Sequence, residues 1–201
     1  MIRIIDYGMG NLRSVQKAFE RLNIETEITN RPENVLSADK LILPGVGHFN
    51  KGMQKLEELK LVDAIKQAVL INKTPILGIC LGMQLMTKHS EEGNKEGLGL
   101  IDAITVKFEQ TGNLKIPHMG WNTILLKKND WLINWESGLN QVYFVHSYYV
   151  KCSNDEDILF ITEYGIEFDS AFQRDHIVGF QFHPEKSHKI GLKLLEGFVE
   201  L

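Results

Sequence analysis

A cysteine between two glycines, placed where an apolar run gives way to a helical pattern, constrains the fold of this chain most strongly. Residues Gly78–Gly82 read Gly-Ile-Cys-Leu-Gly, after the apolar run Thr74–Ile79 and at the start of the helical run Leu81–Met86. This order is typical of a nucleophile elbow, a strained strand-to-helix turn that leaves no room for side chains beside the nucleophile. We therefore expect Cys80 at the end of a strand and at a helix N-terminus, where the helix dipole favours the thiolate.

A histidine and a glutamate two residues apart provide the groups that such a cysteine needs. His183 and Glu185 belong to the segment Gln181–Glu185, which reads Gln-Phe-His-Pro-Glu after an apolar run. On an extended segment, residues two apart lie on the same face, so the carboxylate can orient the imidazole as a base. A lone cysteine in an apolar strand is usually an inert core residue. The two patterns together favour a Cys80–His183–Glu185 triad.

Length and composition are those of an ordinary globular protein. The 201 residues are 43% hydrophobic and 24% charged, and we expect a single domain over residues 1–201. A net charge of −4 and the lack of a basic cluster argue against binding to nucleic acid or to an anionic membrane. No apolar run approaches the roughly 20 residues of a membrane-spanning helix.

The cysteines and histidines indicate a reducing compartment and no bound metal. Cys80 and Cys152 provide neither a disulfide framework nor a C-x-x-C metal motif. A reactive thiol needs reducing conditions, so we expect the protein in the cytoplasm. The seven histidines include no H-x-x-x-H pair, and no phosphate-binding glycine motif occurs. We therefore expect neither a metal nor a nucleotide cofactor.

Strands and helices alternate in the first half of the chain, which predicts right-handed β-α-β units and a parallel sheet. The expected strands are Ile2–Asp6, Glu25–Thr29, Lys40–Leu43 and Pro75–Ile79. The expected helices are Asn11–Leu22, with Asn11 as the N-cap, and Lys51–Ile71, which can break near Lys60. Active groups should lie at the carboxyl ends of the parallel strands.

The second half changes to strands joined by short turns, which predicts antiparallel pairing beside the parallel sheet. The expected strands are Ala103–Phe108, Asn122–Lys127, Gln141–Val150, Ile158–Glu163, Phe168–Arg174 and Ile177–His183. A closing helix is expected over Gly191–Val199. The predicted fold is one α/β domain, with a mixed central sheet flanked by helices and with additional antiparallel strands in the second half.

The glycine-rich loop Pro44–Gly47 follows a predicted strand and is expected beside the elbow. Attack on an amide needs two hydrogen-bond donors for the developing oxyanion. One is the backbone N–H of Leu81, directly after the nucleophile, and the other is the N–H of Val46 or Gly47. The alternative is a plain β-α turn, which the neighbouring elbow makes the less favoured interpretation.

Two aromatic segments are open to more than one interpretation. Pro117–Asn122 is expected to be a turn whose apolar groups either contact a partner or pack on their own sheet. Tyr143–Val150 reads as part of one strand with a polar centre. Its aromatic groups, with Phe144 and Val150, are expected to pack in the core, or Ser147 and Tyr148 instead line a pocket.

These segments together closely resemble the class I, or triad-type, glutamine amidotransferases, and within them the glutaminase subunits of imidazole glycerol phosphate synthases. The resemblance covers nearly the whole chain, in order. It is carried by Asp6–Leu12, Leu43–Gly47, Gly78–Leu85, His118–Asn122, His146–Tyr149 and Gln181–Ser187. It implies a flavodoxin-like, class I glutamine amidotransferase-like fold.

The resemblance also implies an activity, a partner and a set of site residues. Glutamine is hydrolysed through a thioester on Cys80 with no cofactor, and ammonia passes to a (β/α)8-barrel synthase of histidine synthesis. The oxyanion positions of the family fall on Val46 and Leu81. The positions that hold glutamine fall on Gln84, Glu92, Ser147 and Tyr148. The positions that face the barrel fall on Asn11, Met119, Trp121 and Lys186.

Parts of the tail depart from this pattern and leave a second acceptor of ammonia open. Tyr164–Phe168 and Ser187–Lys189 resemble a paralogous branch, found with surface-sugar biosynthesis, that forms an amidino group on a sugar nucleotide. Histidine synthesis is the preferred of the two. A more distant alternative is an elbow-cysteine hydrolase or glyoxalase-like stress protein, which the His-Pro-Glu order disfavours. A non-catalytic module is disfavoured because all three triad residues are present.

Overall fold

A computed structural model of the protein describes residues 1–109, 114–128 and 140–201. Parallel strands form the centre of its main sheet, in the order β2-β1-β3-β4-β14. They are β1 (Ile2–Ile5), β2 (Thr26–Thr29), β3 (Lys40–Gly45), β4 (Ile76–Cys80) and β14 (Ile177–Phe180). The alternation of strands and helices in the first half therefore gives the parallel sheet that the sequence predicts.

Antiparallel strands continue this sheet beyond β14, in the order β13-β11-β7. The remaining strands of the main sheet are β5 (His89–Ser90), β6 (Lys95–Glu96), β7 (Ala103–Lys107), β9 (Leu125–Leu126), β11 (Tyr148–Cys152), β12 (Ile158–Tyr164) and β13 (Ile166–Arg174). A separate two-stranded ribbon pairs β8 (His118–Thr123) with β10 (Gln141–His146). The main sheet is therefore mixed, as predicted.

Helices cover both faces of the parallel strands. They are α1 (Leu12–Glu20), α2 (Pro32–Leu36), α3 (Phe49–Glu58), α4 (Leu61–Lys66), α5 (Leu81–Leu85) and α6 (His188–Glu200). The side chain of Asn11 caps α1 by accepting the N–H of Ser14. The predicted break at Lys60 is present, because this residue is left-handed and separates α3 from α4. Among the described helices, none is long and apolar enough to cross a membrane.

Alternate residues of the central strands enter two apolar layers, one on each face of the sheet. In β3, Leu41 and Leu43 pack with α3 and α4, whereas Ile42 packs with α1 and α6. In β4, Ile76 enters the layer with α3 and α4, and Leu77 enters the layer with α1 and α6. Burial on both faces explains why these strands read as continuous apolar runs rather than as alternating ones.

Three expectations for the second half are wrong. The segment Gln141–Val150 is two strands rather than one, since the chain leaves the ribbon after His146 and enters the main sheet as β11. The segment Pro117–Asn122 is not a turn. It contributes most of β8, and the strand expected over Asn122–Lys127 is the end of β8 followed by β9. Pairing with β10, which is distant in sequence, makes this segment extended.

The last predicted strand also ends early, and one helix was missed. The strand expected over Ile177–His183 stops at Phe180, and it pairs in parallel with β4 as well as antiparallel with β13. The short helix α2 was not predicted, although Pro32 stands at its start, as prolines often do. Its five residues are too few for an apolar period to be visible in the sequence.

Candidate active site

Cys80 occupies a strained turn between β4 and α5. Its φ of 54° lies in the left-handed region, which costs energy for a residue other than glycine. A Cβ on Gly78 would lie 2.7 Å from the backbone nitrogen of Met83, and a Cβ on Gly82 would overlap the carbonyl oxygen of Leu43. The two flanking glycines are thus required by close backbone packing, in agreement with the nucleophile elbow predicted from the sequence.

His183 and Glu185 are in direct contact. Nδ1 of His183 lies 2.8 Å from Oε1 of Glu185, and both side chains are almost fully buried. The contact does not arise from strand alternation, because His183 is extended while Glu185 lies in a single 3-10 turn, Pro184–Lys186. The hydroxyl of Ser187 donates to the carbonyl oxygen of His183 at 2.6 Å and fixes this turn.

The imidazole of His183 lies close to the thiol of Cys80. Burial alone lowers the pKa of His183, but hydrogen bonding to Cys80 and Glu185, together with their charges, outweighs burial and raises it. Nε2 of His183 is buried and has no hydrogen-bond partner of regular geometry among the described residues. The contacts with Cys80 and Glu185 therefore favour the protonated form of the imidazole.

A cavity of about 290 Å³ opens next to the thiol, at the carboxyl ends of β3 and β4. Register explains this position, because Gly45, the last residue of β3, is paired with Cys80. Eight residues singled out from the sequence line the cavity: Val46, Gly47, Cys80, Leu81, Gln84, Glu92, Ser147 and Tyr148. His183, which lies next to the thiol, and Glu185 are not among the residues that line the cavity.

Hydrogen bonds hold the rim and the wall of this cavity. Oε2 of Glu92 accepts the N–H of Phe49 at 2.7 Å, which anchors the loop before Glu92 to the start of α3. Nε2 of Gln84 donates to the carbonyl oxygen of Tyr148 at 3.0 Å. Burial, followed by the charges of nearby acidic residues including Glu92, raises the pKa of the Tyr148 phenol. The lining thus combines a carboxylate, an amide and a neutral hydroxyl in one small space.

A family model described as class I glutamine amidotransferase matches residues 3–200 of this chain. The chain belongs to the class I glutamine amidotransferase family. HisH 2, an imidazole glycerol phosphate synthase subunit of Methanococcus maripaludis, is 52% identical over 200 residues, which are 100% of this chain and 99% of the relative. HisH 1 of Campylobacter jejuni strain RM1221 is 50% identical over 202 residues, with 100% of both chains covered. HisH 2 of Pseudomonas aeruginosa is 44% identical over 201 residues, also with full coverage.

Solved structures share the amidotransferase fold at low sequence identity. A crystal structure described as a glutamine amidotransferase has a TM-score of 0.76 at 17% identity and covers 100% of this chain and 98% of its own. A chain of PurLQS from Thermotoga maritima has a TM-score of 0.74 at 16% identity, and the match covers 99% of this chain and 97% of the PurLQS chain. Likeness at this identity shows the fold alone, and it confirms the predicted class I glutamine amidotransferase fold.

The four positions expected to face a partner all lie on the surface of the amidotransferase chain. Met119 and Trp121 are 62% and 46% exposed and project from β8, while Lys186 lies with Nζ 5.5 Å from the centre of the Tyr143 ring. Asn11 is exposed at the start of α1, a helix that packs against the 3-10 turn containing Lys186. The geometry therefore brings these positions to neighbouring elements around the same end of the molecule.

Several residues at the site were not singled out from the sequence. Pro117, Val145 and His146 also line the cavity, and the carbonyl oxygen of Val145 lies 3.8 Å from Sγ of Cys80. His146 sits in the segment that includes Ser147 and Tyr148, so its neighbours in sequence were a signal. The hydroxyl of Tyr7 is buried against Gly45 and, among the described residues, has no hydrogen-bond partner. Its place directly after β1 is where active groups of such sheets gather.

The second cysteine lies in a different environment. Cys152 ends β11 and is partly buried beside Asp169, whose carboxylate accepts the backbone N–H of Cys152 at 2.8 Å. Burial, reinforced by the charge of Asp169, raises the pKa of this thiol far above its usual value. Cys152 is therefore kept as a neutral thiol and is a natural control for experiments on Cys80.

Proposed function

We propose that this chain is the glutaminase subunit of an imidazole glycerol phosphate synthase. It hydrolyses glutamine to glutamate and ammonia with a Cys80–His183–Glu185 triad and supplies the ammonia to a (β/α)8-barrel partner in histidine synthesis. The observation that carries the proposal is the buried 2.8 Å contact between His183 and Glu185 next to the elbow cysteine. The names of the full-length relatives support the subunit and the pathway. A catalytic thiol needs reducing conditions, which supports a location in the cytoplasm.

The chemistry follows from the order of groups around the thiol. The Cys80 thiolate attacks the carboxamide carbon, and the backbone N–H groups of Leu81 and of Val46 or Gly47 stabilise the oxyanion. The C–N bond breaks as the imidazolium of His183 gives its proton to the leaving nitrogen, which releases ammonia and leaves a thioester. Water then adds to the thioester as His183 takes its proton. The C–S bond breaks, and glutamate leaves with the thiolate restored.

Glutamine is held by polar groups of the cavity wall. Its α-ammonium group is expected to face the carboxylate of Glu92. Gln84, Ser147 and Tyr148 offer hydrogen bonds to the α-ammonium and α-carboxylate groups. A volume of about 290 Å³ suits one amino acid of this size. Glu185 keeps the imidazole oriented and stabilises the imidazolium, since both groups are buried away from water.

Release of glutamate, measured with the chain alone and with a barrel partner, tests the proposal. Cys80→Ala should abolish glutamine hydrolysis and leave the fold intact, whereas Cys152→Ala should retain the parent rate. In the complex, Cys80→Ala should still form product from ammonium salts, because ammonia is the common intermediate. Glutamate release by Cys80→Ala at the parent rate would show that another group is the nucleophile. Loss of the ammonium-driven reaction in an assembled complex would contradict the two-site scheme.

A second acceptor is favoured by two segments in the tail of the sequence. Tyr164–Phe168 and Ser187–Lys189 resemble the paralogous branch that forms an amidino group on a surface sugar nucleotide. Glutamate release in the presence of each type of barrel with its own acceptor separates the two candidates, because only the true partner should accelerate it.

A further inference from the structure

A buried glutamine lies between the cavity wall and the thiol. Gln181 follows β14 and is fully buried, and its backbone N–H donates to the carbonyl oxygen of Ser170 at 2.9 Å. Its side chain reaches Gln84 on one side, with Oε1 3.0 Å from Nε2 of Gln84. On the other side, its Nε2 lies 3.8 Å from Sγ of Cys80, within hydrogen-bonding range for sulfur. Gln181 therefore touches the reacting atom without lining the cavity.

A backbone carbonyl decides which way both amides point. The carbonyl oxygen of Tyr148 can only accept, and Nε2 of Gln84 lies 3.0 Å from it. Gln84 must therefore present its NH2 group there, and the second hydrogen of that group points to Gln181. Gln181 must in turn present its oxygen to Gln84, which leaves its own NH2 group facing the sulfur. The donor at Cys80 thus follows from the hydrogen-bond network rather than from a free choice of amide flip.

Two buried histidines extend this hydrogen-bond network beyond the Tyr148 carbonyl. Nδ1 of His146 lies 2.7 Å from the Tyr148 oxygen, so this nitrogen carries the proton. Nε2 of His146 must then accept from Nδ1 of His118 at 3.0 Å, and Nε2 of His118 accepts from the side-chain amide of Asn122 at 3.2 Å. Burial lowers the pKa of both imidazoles, which keeps them neutral, as this chain of donors and acceptors needs.

We propose that Gln181 is a catalytic residue of the glutaminase reaction, and that its side-chain N–H donates a hydrogen bond to the Cys80 thiolate. This inference rests on the proposed function. The thiolate is the attacking group when the thioester forms and the leaving group when it is hydrolysed. A donor fixed at the sulfur stabilises the thiolate before attack and again as the C–S bond breaks. Hydrogen bonds to a charged group are the strong ones, and water is excluded from this side of the sulfur.

Alkylation of Cys80 by iodoacetamide as a function of pH tests the proposal without glutamine. Gln181→Met keeps the volume of the side chain and removes the donor. We expect the pH of half-maximal alkylation to rise in this variant, and glutamate release to fall about 10- to 100-fold with a nearly unchanged KM. The matched control is Gln173→Met, which changes a buried glutamine of β13 that does not contact Cys80. It should leave both readouts at parent values.

The neighbours that titrate near the thiol are the same in all these variants. His183, with Glu185, is the charged group beside Cys80. Tyr7 and His146 also face it, but burial keeps both neutral near pH 7, since it raises the pKa of Tyr7 and lowers that of His146. A second variant, Gln181→Leu, also removes the donor and adds no titratable group. It should shift the alkylation profile in the same direction and serves where Gln181→Met does not fold.

Each outcome is decisive. A shifted alkylation profile with slower glutamate release supports the catalytic role. A profile that matches the parent in a folded variant overturns it, whatever happens to the turnover rate. If the profile shifts but neither the parent chain nor its complexes release glutamate, the hydrogen bond to the thiolate stands while the proposed function falls. A shift of equal size in Gln173→Met would assign the effect to general repacking and overturn the proposal.

Discussion

Gly82 packs against Leu43 so closely that no Cβ fits between its Cα and the Leu43 carbonyl oxygen. Gly82→Ala should therefore push α5 away from β3 and disturb the turn that presents Cys80. We expect a loss of unfolding free energy of about 3 kcal/mol or more, measured by urea unfolding, together with loss of glutamate release.

Gly8→Ala is the comparison for this substitution. Gly8 has a φ of 82°, but no atom of the described residues lies within 4 Å of the added methyl group. Its cost should be only that of the left-handed backbone, about 1–2 kcal/mol. Gly82 has no left-handed φ, so a loss no larger than that of Gly8→Ala would show that the close contact with Leu43 is relieved at little cost.

We expect the buried pair His183 and Glu185 to make unequal contributions to turnover. His183→Ala removes the base and the proton donor, whereas Glu185→Ala removes only the group that orients them. The fall in kcat for Glu185→Ala should therefore be about 10- to 100-fold smaller than that for His183→Ala. Steady-state glutamate release measures both. A larger loss for Glu185→Ala would mean that the carboxylate, rather than the imidazole, exchanges the proton.

The hydroxyl of Tyr7 is buried next to Gly45 with no partner among the described residues. Leaving such a group unsatisfied costs about 1–3 kcal/mol. Tyr7→Phe should therefore raise the free energy of unfolding by about 1 kcal/mol. Tyr164→Phe is the opposite case, since the Tyr164 hydroxyl donates to the carbonyl oxygen of Lys115 at 2.6 Å, and it should be destabilising. A loss of stability in Tyr7→Phe would reveal that its hydroxyl is bonded in solution.

The tight turn at Cys80 and the contact between His183 and Glu185 could be predicted because the sequence signal is local. Glycines two residues on either side of Cys80 are demanded by one tight turn, and His183 and Glu185 meet within a single short segment. The hydrogen-bond chain behind the site could not be predicted in this way. His118 and His146 face each other only because β8 and β10 pair in one particular register. That register depends on residues far apart in the chain, which no local pattern records.

The division between β10 and β11 was hidden for a related reason. The chain changes sheets at Ser147, and neither glycine nor proline marks the place. Strand-favouring residues stand on both sides of the break, Val142–Val145 before it and Tyr148–Val150 after it, so the segment reads as one strand. The exposed Trp121 was anticipated as a surface group, but its place in a strand rather than a turn depends on the partner strand. Long-range pairing therefore accounts for most of what the sequence did not reveal.

The neutral histidine pair should make the fold sensitive to acid. Burial lowers the pKa of His118 to about 4. Burial also lowers the pKa of His146 to about 3. For His146, the hydrogen bond to the Tyr148 carbonyl opposes this shift, and the charges of His118 and His183 add to it. Between these values and about 6.5, the unfolded chain binds protons that the folded chain does not. Stability therefore rises with pH in this window, by up to about 1.4 kcal/mol per pH unit for each histidine.

Urea unfolding between pH 5 and 6 measures this slope. His118→Gln should reduce the slope of unfolding free energy against pH by the contribution of one histidine. The control is His48→Gln, at an exposed position, which should leave the slope unchanged. An unchanged slope in His118→Gln would mean that the folded protein protonates the pair readily at pH 5 to 6.

We expect the loop Val46–Gly47, which is proposed to supply an oxyanion donor, to be a point of regulation by the proposed partner. Gly47 has a φ of 108° and lies against the side chain of Met9. Met9 belongs to the loop that leads to Asn11 at the start of α1. A glycine at position 47 allows the preceding peptide to hold its N–H or its carbonyl towards the thiol. Loss of one oxyanion donor costs roughly 10²–10³ in rate. We therefore expect the isolated chain to be a poor glutaminase and a barrel partner with bound acceptor to activate it strongly.

Glutamate release by the chain alone, with the partner, and with partner and acceptor measures this activation. Trp121→Ala combined with Lys186→Ala should remove most of it, because both side chains are exposed on the face expected to meet the barrel. Ile71→Ala is the control, since Ile71 is 74% exposed at the end of another helical segment. Equal rates in all three conditions would exclude regulation by the partner. Activation that survives the double substitution in an assembled complex would place the transmitting contacts elsewhere, with Asn11 as the next position to change.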